Sequence, residues 1–223
     1  MGKRSYEQFC GLATALDIVG ERWTLLIVRD LALGPQRYTD LLAGLPGIGT
    51  NLLADRLRQL EDNGIVRRTQ LPPPAAITAY ELTESGRELR EALLPIAVWG
   101  ARRMDFDDDS YRRPDWLLLS LRSRFRPEHA VGVHDTYEFV VDGEPFHVRV
   151  RDGEVDVQRG PAPGAADVVL TTDLPTLYEM GLGRLTTAEA VSRKRATVTG
   201  SRGALARAAM ILGSGRAPAH SPT

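Results

Sequence analysis

The hydrophobic period of this chain changes once along its length, and that change divides it into two folded parts. Up to about residue 104, apolar residues recur every three to four positions, as amphipathic helices require. From about residue 136 they alternate, as half-buried strands require. Between them, residues 105–114 are polar and carry Asp105, Asp107, Asp108 and Asp109, the composition of a solvated linker. The chain therefore reads as a helical unit with one hairpin over 1–104, a linker over 105–113, an α+β unit over 114–213 and a flexible Gly/Pro/Ser-rich tail over 214–223. The fold class as a whole is α+β. Its 223 residues are enough for two small cores.

Within the first part, Phe9, Leu12, Leu16 and Val19 share one helical face, and Trp23, Leu26, Ile27 and Leu31 share another. Gly34-Pro35 then breaks the chain. Thr39 is expected to cap a short helix carrying Leu41, Leu42 and Leu45, with Tyr38 as its staple. A further helix starts near Thr50, buries Leu53, Leu57 and Leu60, and stops at Asn63-Gly64. Strands at 65–71 and 79–82 flank Pro72-Pro73-Pro74 as a hairpin. Thr83 caps a long last helix reaching about Met104, with Glu84 in its first turn. That helix has two apolar stripes, Leu89, Leu93 and Ile96 on one side and Leu94, Val98 and Ala101 on the other. One stripe can pack on its own unit. The second requires a partner, which predicts a homodimer.

Helix, short helix, turn, helix, hairpin is the order of a winged helix-turn-helix. A helix of about 12 residues fits the major groove, and the hairpin reaches the adjacent backbone. The helix from Thr50 would expose Asn51, Ala54, Asp55 and Arg58, with Arg56 on its flank. Asn pairs with adenine and Arg with guanine or phosphate, while Asp55 meets either a cytosine amine or a repelling phosphate. Thr39 and Thr50 mark helix N-termini whose N–H groups bind phosphate. Arg67 and Arg68 stand at the hairpin base. The candidate contacts to double-stranded DNA are thus Thr39, Thr50, Asn51, Asp55, Arg56, Arg58, Arg67 and Arg68. A solvated helix face is the competing reading, and the motif order favours DNA. The net charge is −1, so such a surface is a local patch. All basic residues except Lys3 and Lys194 are arginine, which points to a GC-rich bacterial genome.

Several ordered motifs then carry a resemblance. They are Gly20-Glu-Arg-Trp-Thr-Leu-Leu-Ile-Val-Arg-Asp-Leu31 within the run 10–31, Gly34-Pro-Gln-Arg-Tyr-Thr-Asp-Leu41, and Leu45-Pro-Gly-Ile48. Asn51-Leu-Leu-Ala-Asp-Arg-Leu-Arg-Gln-Leu-Glu61, Gly64-Ile-Val66 and Tyr80-Glu-Leu-Thr-Glu-Ser-Gly86 follow. Over about 8–104 the chain resembles the HxlR-type bacterial regulators. The resemblance implies a cytoplasmic homodimeric winged helix acting as repressor or activator. Three features depart from the pattern. Asn51 stands where the family often has a basic residue, Asp55 puts a negative charge on the exposed face, and Ala75-Ala76 follow the wing prolines where an Arg is usual. Fewer basic contacts imply a shallower salt dependence. In several members the N-terminal cysteine senses oxidants or electrophiles. That makes Cys10 a redox-sensing candidate, with basic Lys3 and Arg4 close in sequence. Burial as a small hydrophobe is the alternative for Cys10.

In the second part, strands are expected at 136–141, 146–150, 155–157, 168–171 and 196–199, with Asp142-Gly143 and Asp152-Gly153 turning the first two. Ala166-Asp-Val-Val-Leu-Thr-Thr-Asp173, Leu174-Pro-Thr-Leu-Tyr178, Thr186-Thr-Ala-Glu-Ala190 and Ala196-Thr-Val-Thr-Gly200 resemble the sterol carrier protein family over about 114–213. That resemblance implies an apolar tunnel between sheet and helices for a lipid-like molecule. Its candidate lining is Trp116, Phe139, Phe146, Tyr178, Met180, Met210 and Leu212, with plain core packing the competing reading for each.

Other classes are excluded by what the sequence lacks. No apolar run reaches the roughly 20 residues a membrane helix needs, and the charged N-terminus is no signal peptide, so the expected location is the cytoplasm. Cys10 is the only cysteine, which leaves no Cys-based zinc site or intrachain disulfide. His129, His134, His147 and His220 have no metal-ligand spacing, no nucleophile elbow occurs, and Gly181-Leu-Gly183 lacks the rest of a dinucleotide motif. No enzyme activity, metal or cofactor is expected. The sequence thus reads as a homodimeric transcriptional regulator modulated by an apolar small molecule. The alternative is a lipid-like ligand sensor or carrier whose winged helix makes protein–protein contacts.

Overall fold

The structure is a computed structural model that describes residues 5–71, 77–101, 103–104 and 111–212. Two compact units divide between Arg102 and Arg103.

The first unit runs α1 (Gly11–Val19), α2 (Thr24–Leu31), α3 (Tyr38–Gly44), α4 (Thr50–Asp62), β1 (Val66–Gln70), β2 (Thr78–Leu82) and α5 (Glu84–Ala101). Its core joins Ile27, Val28 and Leu31 of α2 to Leu41, Leu45, Leu53, Leu57, Leu60 and Leu82, with Leu89 and Leu93 of α5 packed against them. Each such leucine contributes about 2 kcal/mol by leaving water. Asn63-Gly64 ends α4 as its composition requires. Gly64 takes φ +68°, Ile65 N–H donates to Leu60 O at 2.9 Å, and Gly64 N–H donates to Glu61 O at 2.9 Å. This turn delivers β1 directly from α4. β1 and β2 pair antiparallel with Arg67 opposite Glu81 and Arg68 opposite Tyr80. A bridge not anticipated from sequence adds Gln36 beside Tyr80, with reciprocal N–H···O bonds of 2.9 and 2.7 Å. The wing tip with Pro72-Pro73-Pro74 and Ala75-Ala76 lies outside the described residues, as do Lys3, Arg4, most of the linker and the tail.

Three local expectations are corrected. Thr39 is not the cap of α3. The helix starts two residues earlier, at Tyr38 with Arg37 as its N-cap, Asp40 Oδ2 accepts the Arg37 N–H at 3.3 Å, and the Tyr38 hydroxyl donates to Thr50 O at 2.7 Å. Only Val19 of the stripe expected for α1 is buried, whereas Phe9, Leu12 and Leu16 face solvent. Ile96 does not continue the Leu89–Leu93 stripe into the core and is exposed. The reason is length. The 18 residues of α5 span about 27 Å, more than this small core covers.

The second unit runs α6 (Pro114–Arg124), a 3-10 turn (Pro127–His129), β3 (Thr136–Val141), β4 (Glu144–Arg151), β5 (Glu154–Arg159), β6 (Val168–Thr172), α7 (Leu174–Gly181), α8 (Thr187–Ser192), β7 (Ala196–Gly200) and α9 (Arg202–Ile211). The sheet order is β5-β4-β3-β6-β7, antiparallel except for the parallel pair β3–β6. Both Asp-Gly turns adopt positive φ at both residues, 51° and 86° at Asp142-Gly143 and 46° and 87° at Asp152-Gly153. That is the primed-turn geometry whose twist matches the strands. One sheet face buries Tyr137, Phe146, Val148, Val150, Val157, Val168 and Leu170. Of the four described helices, α7, α8 and α9 carry side-chain caps. Asp173 accepts Thr176 N–H at 2.7 Å, Thr186 and Glu189 form a reciprocal box, and Ser201 accepts Ala204 N–H at 3.2 Å.

Candidate nucleic-acid interface

Anchoring Leu53, Leu57 and Leu60 in the core turns the opposite side of α4 outward, so Thr50, Asn51, Asp55 and Arg58 are all exposed. Arg58 Nη1 donates to Asp55 Oδ1 at 3.2 Å, one turn apart, and both side chains remain more than half exposed. Arg56 is different. Its Nη2 meets Glu21 Oε2 at 2.9 Å, its Nη1 meets Gln59 Oε1 at 2.8 Å, its Nε meets Arg22 O at 3.3 Å, and only 14% of the side chain is exposed. Arg56 therefore braces α4 against the turn before α2, and its place among the base readers is withdrawn. Thr39 sits exposed in the first turn of α3.

At the wing base, Arg67 Nε lies 2.7 Å from Glu81 Oε1 and Arg68 Nε 2.9 Å from Glu61 Oε1. Arg68 also stacks over the Tyr80 ring at 5.7 Å. Its pKa is raised above the usual arginine value, first by the hydrogen bond to Glu61 and then by Tyr80. Glu61 and Glu81 were missed as partners in the sequence. The cross-strand position of Glu81 was legible from a correct hairpin register, whereas the Glu61 contact requires the folded turn after α4. Arg58, Arg67 and Arg68 thus each share their charge with a carboxylate.

The apolar candidates of the second unit make several different contacts. Phe139 and Phe146 stand directly opposite each other on β3 and β4. Trp116 meets Tyr111 edge-on at 5.7 Å, and Arg112 lies 5.6 Å over the Tyr178 ring. Met180 packs with Leu185, Ala190 and Ala196 in a separate cluster. Leu212 is buried, but Met210 is 53% exposed and is withdrawn as a lining residue. α6 and α7 approach closely at Gly181, where a Cβ would stand 2.6 Å from Leu117 Cδ1.

Two buried carboxylates, neither foreseen from sequence, tie this unit together. Asp115 accepts from Arg113 Nη2 and Arg159 Nη2, each at 2.7 Å. Asp135 accepts from Arg207 Nε at 2.7 Å and Nη2 at 2.8 Å, and from the Tyr137 hydroxyl at 2.8 Å. Arg207 chiefly holds the Asp135 carboxyl below its usual pKa, while burial, then Asp135, pushes the Tyr137 hydroxyl up. Cys10 is exposed, so the expectation that it packs as a buried hydrophobe does not hold within the chain.

Comparison with known proteins accords with this reading of both units. Residues 18–108 match the HxlR-like helix-turn-helix family and residues 119–213 match the SCP-2 sterol transfer family. The HTH-type transcriptional regulator YvaP of Bacillus subtilis is 36% identical over 91 residues, covering 41% of this chain and 84% of YvaP. An HTH-type transcriptional regulator of Mycobacterium bovis is 37% identical over 116 residues, covering 52% of this chain and 68% of its own. Among solved structures, the reduced form of the Bacillus subtilis regulator YodB is 32% identical, with a TM-score of 0.38, and covers 45% of this chain and all of YodB. Among the described residues no helix is long and apolar enough to cross a membrane. With an HxlR-like helix-turn-helix over residues 18–108 and a sterol-transfer-type domain over residues 119–213, the chain belongs to the HxlR-like family of helix-turn-helix transcriptional regulators.

Proposed function

We propose that the protein is a cytoplasmic homodimer that binds promoter DNA through α4 and the wing, and that an apolar small molecule in the second unit modulates this binding. The observation that carries the DNA reading is the outward face of α4, where Asn51 and Arg58 stand exposed on a helix fixed from behind by three buried leucines. A mobility-shift titration against the protein's own upstream DNA tests it. Arg58→Ala is expected to weaken binding about tenfold or more, and Asn51→Ala to change preference at an adenine. The salt slope is expected to be shallow, because each arginine arrives with a carboxylate already beside it. Absence of salt-dependent binding by wild type to every promoter fragment refutes the proposal. Asn51, standing where a basic residue is usual, and the wing prolines followed by Ala75-Ala76 support the alternative, a ligand carrier whose winged helix contacts protein, and that alternative requires such a negative result.

Dimerisation rests on apolar side chains left in solvent by two helices of the first unit. Leu12 and Leu16 of α1, and Ile96, Val98 and Trp99 of α5, are each 39% exposed or more. Light scattering at micromolar concentration is expected to give a dimer for wild type and a monomer for Trp99→Glu. Cys10 adjoins exposed Phe9 and Leu12, so oxidation or alkylation there would act beside the exposed apolar residues of α1. A diamide-dependent change in DNA binding that Cys10→Ser abolishes is the matching test. Effector binding is supported by the sterol-transfer-type domain. A lipid panel is expected to raise the melting temperature of the full chain, and no shift with any lipid contradicts the effector.

A further inference from the structure

The outward face of α4 carries an acid at its centre. Asn51, Asp55, Arg58 and Asp62 all lie on the side away from Leu53, Leu57 and Leu60, and all are exposed. A helix that held DNA by phosphate contacts alone would have no use for Asp55, which repels the backbone. Nor does fold stability require the residue, since an exposed pair one turn apart contributes little. The geometry gives it another role. Asp55 Oδ1 accepts from Arg58 Nη1 at 3.2 Å, which takes one of the five guanidinium donors and draws the group alongside Asp55. The Nε/Nη2 edge of Arg58 has no other partner among the described residues, and it carries the fork that matches guanine O6 and N7. Asp55 keeps Oδ2 for a second donor. In the major groove the donor that suits a carboxylate is the N4 amine of cytosine.

We propose that Asp55 and Arg58 act as one reading element for a G·C-containing step, with Arg58 on guanine and Asp55 both positioning Arg58 and accepting from a cytosine amine at the same or the adjacent base pair. This rests on the DNA-binding reading above. Asp55 thereby sets specificity at the expense of general affinity for DNA. Thymine O4 and guanine O6 are acceptors and are rejected at the position Asp55 faces.

Selection of full-length wild type, Asp55→Asn and Arg58→Gln from a randomised duplex pool, followed by sequencing and salt titration, tests the assignment. Both positions are exposed, so neither substitution disturbs the core, and matched thermal melts verify this. Wild type is expected to enrich a site with adjacent or paired guanine and cytosine in each half. Asp55→Asn is expected to lose about tenfold of the cytosine preference, and Arg58→Gln a similar factor at the guanine. Uniform tightening of Asp55→Asn on all sequences, with base preference unchanged, overturns the proposal, because Asp55 then only repels phosphate. Adenine in place of cytosine, or loss of guanine selectivity in neither variant, also overturns it. If wild type enriches no sequence and shows no salt-dependent binding, it is the DNA-binding reading that has failed.

Discussion

Replacing Gly86 with alanine is expected to lower the melting temperature of the first unit by about 10 °C. The sign is not obvious. In a helix interior, Gly to Ala ordinarily gains about 1 kcal/mol. Here the new Cβ would stand 2.2 Å from Ile65 O and 3.1 Å from Leu82 Cβ. That carbonyl cannot step aside cheaply, because it already accepts the Thr83 N–H at 3.0 Å, while the Thr83 hydroxyl holds the preceding carbonyl, Gly64 O, at 2.5 Å. Thr83 in turn caps α5 by accepting Gly86 N–H at 3.1 Å. Overpacking against such a fixed group costs about 1–3 kcal/mol or more, and the cap bond is lost with it, so the net effect is a loss of about 2 kcal/mol. Ile65 directly follows the α4 stop, so any shift also moves the wing base carrying Arg67 and Arg68. Gly100→Ala is the control. It lies in the same helix with nothing within 4 Å of its Cβ position, and is expected to be neutral or stabilising. Calorimetry on the two variants checks both, and a Gly86→Ala protein melting at or above wild type contradicts the packing account.

Asp115→Ala is expected to destabilise the second unit by about 3 kcal/mol, at the lower end of the range for breaking a buried ion pair. Asp115 is only 4% exposed, whereas Arg113 and Arg159 retain 21% and 23%, so water can partly recover the two guanidiniums. Asp115 also occupies the first turn of α6, where the helix dipole favours an acid. The bridge links the start of α6 to β5 and so closes the sheet under its first helix. Arg159→Leu combined with Asp115→Ala should recover part of the loss, because an apolar group replaces a buried cation. Denaturant unfolding of the full chain measures it. Identical midpoints for wild type and Asp115→Ala would show that the bridge carries no stability.

Much of the fold was legible from short-range chemistry. The Asn63-Gly64 stop, the two Asp-Gly turns and the Thr186–Glu189 box involve groups within a few residues of one another, so local sequence is sufficient to specify them. Local reading failed where a neighbour distant in sequence competed. Thr39 lost the cap of α3 to a helix start fixed by Tyr38 and Thr50, and Ile96 left its stripe because the core ended beneath it. Met210 likewise has the composition of a lining residue, and yet α9 turns it to solvent.

The DNA-facing surface divides along the same line. Periodicity alone places Asn51, Asp55 and Arg58 opposite the leucines of α4, because a helix fixes direction by residue number. Which arginines that surface can offer is decided only by the tertiary structure. Arg56 is held by Glu21, 35 positions away, and Arg68 is shared with Glu61 through the turn that follows α4. In the second unit Arg207 reaches Asp135 across 72 positions. A sequence states how many charges of each sign a chain carries. An ion pair forms only where folding brings two of them to within hydrogen-bond distance, and over such separations that distance is set by the packing of whole elements.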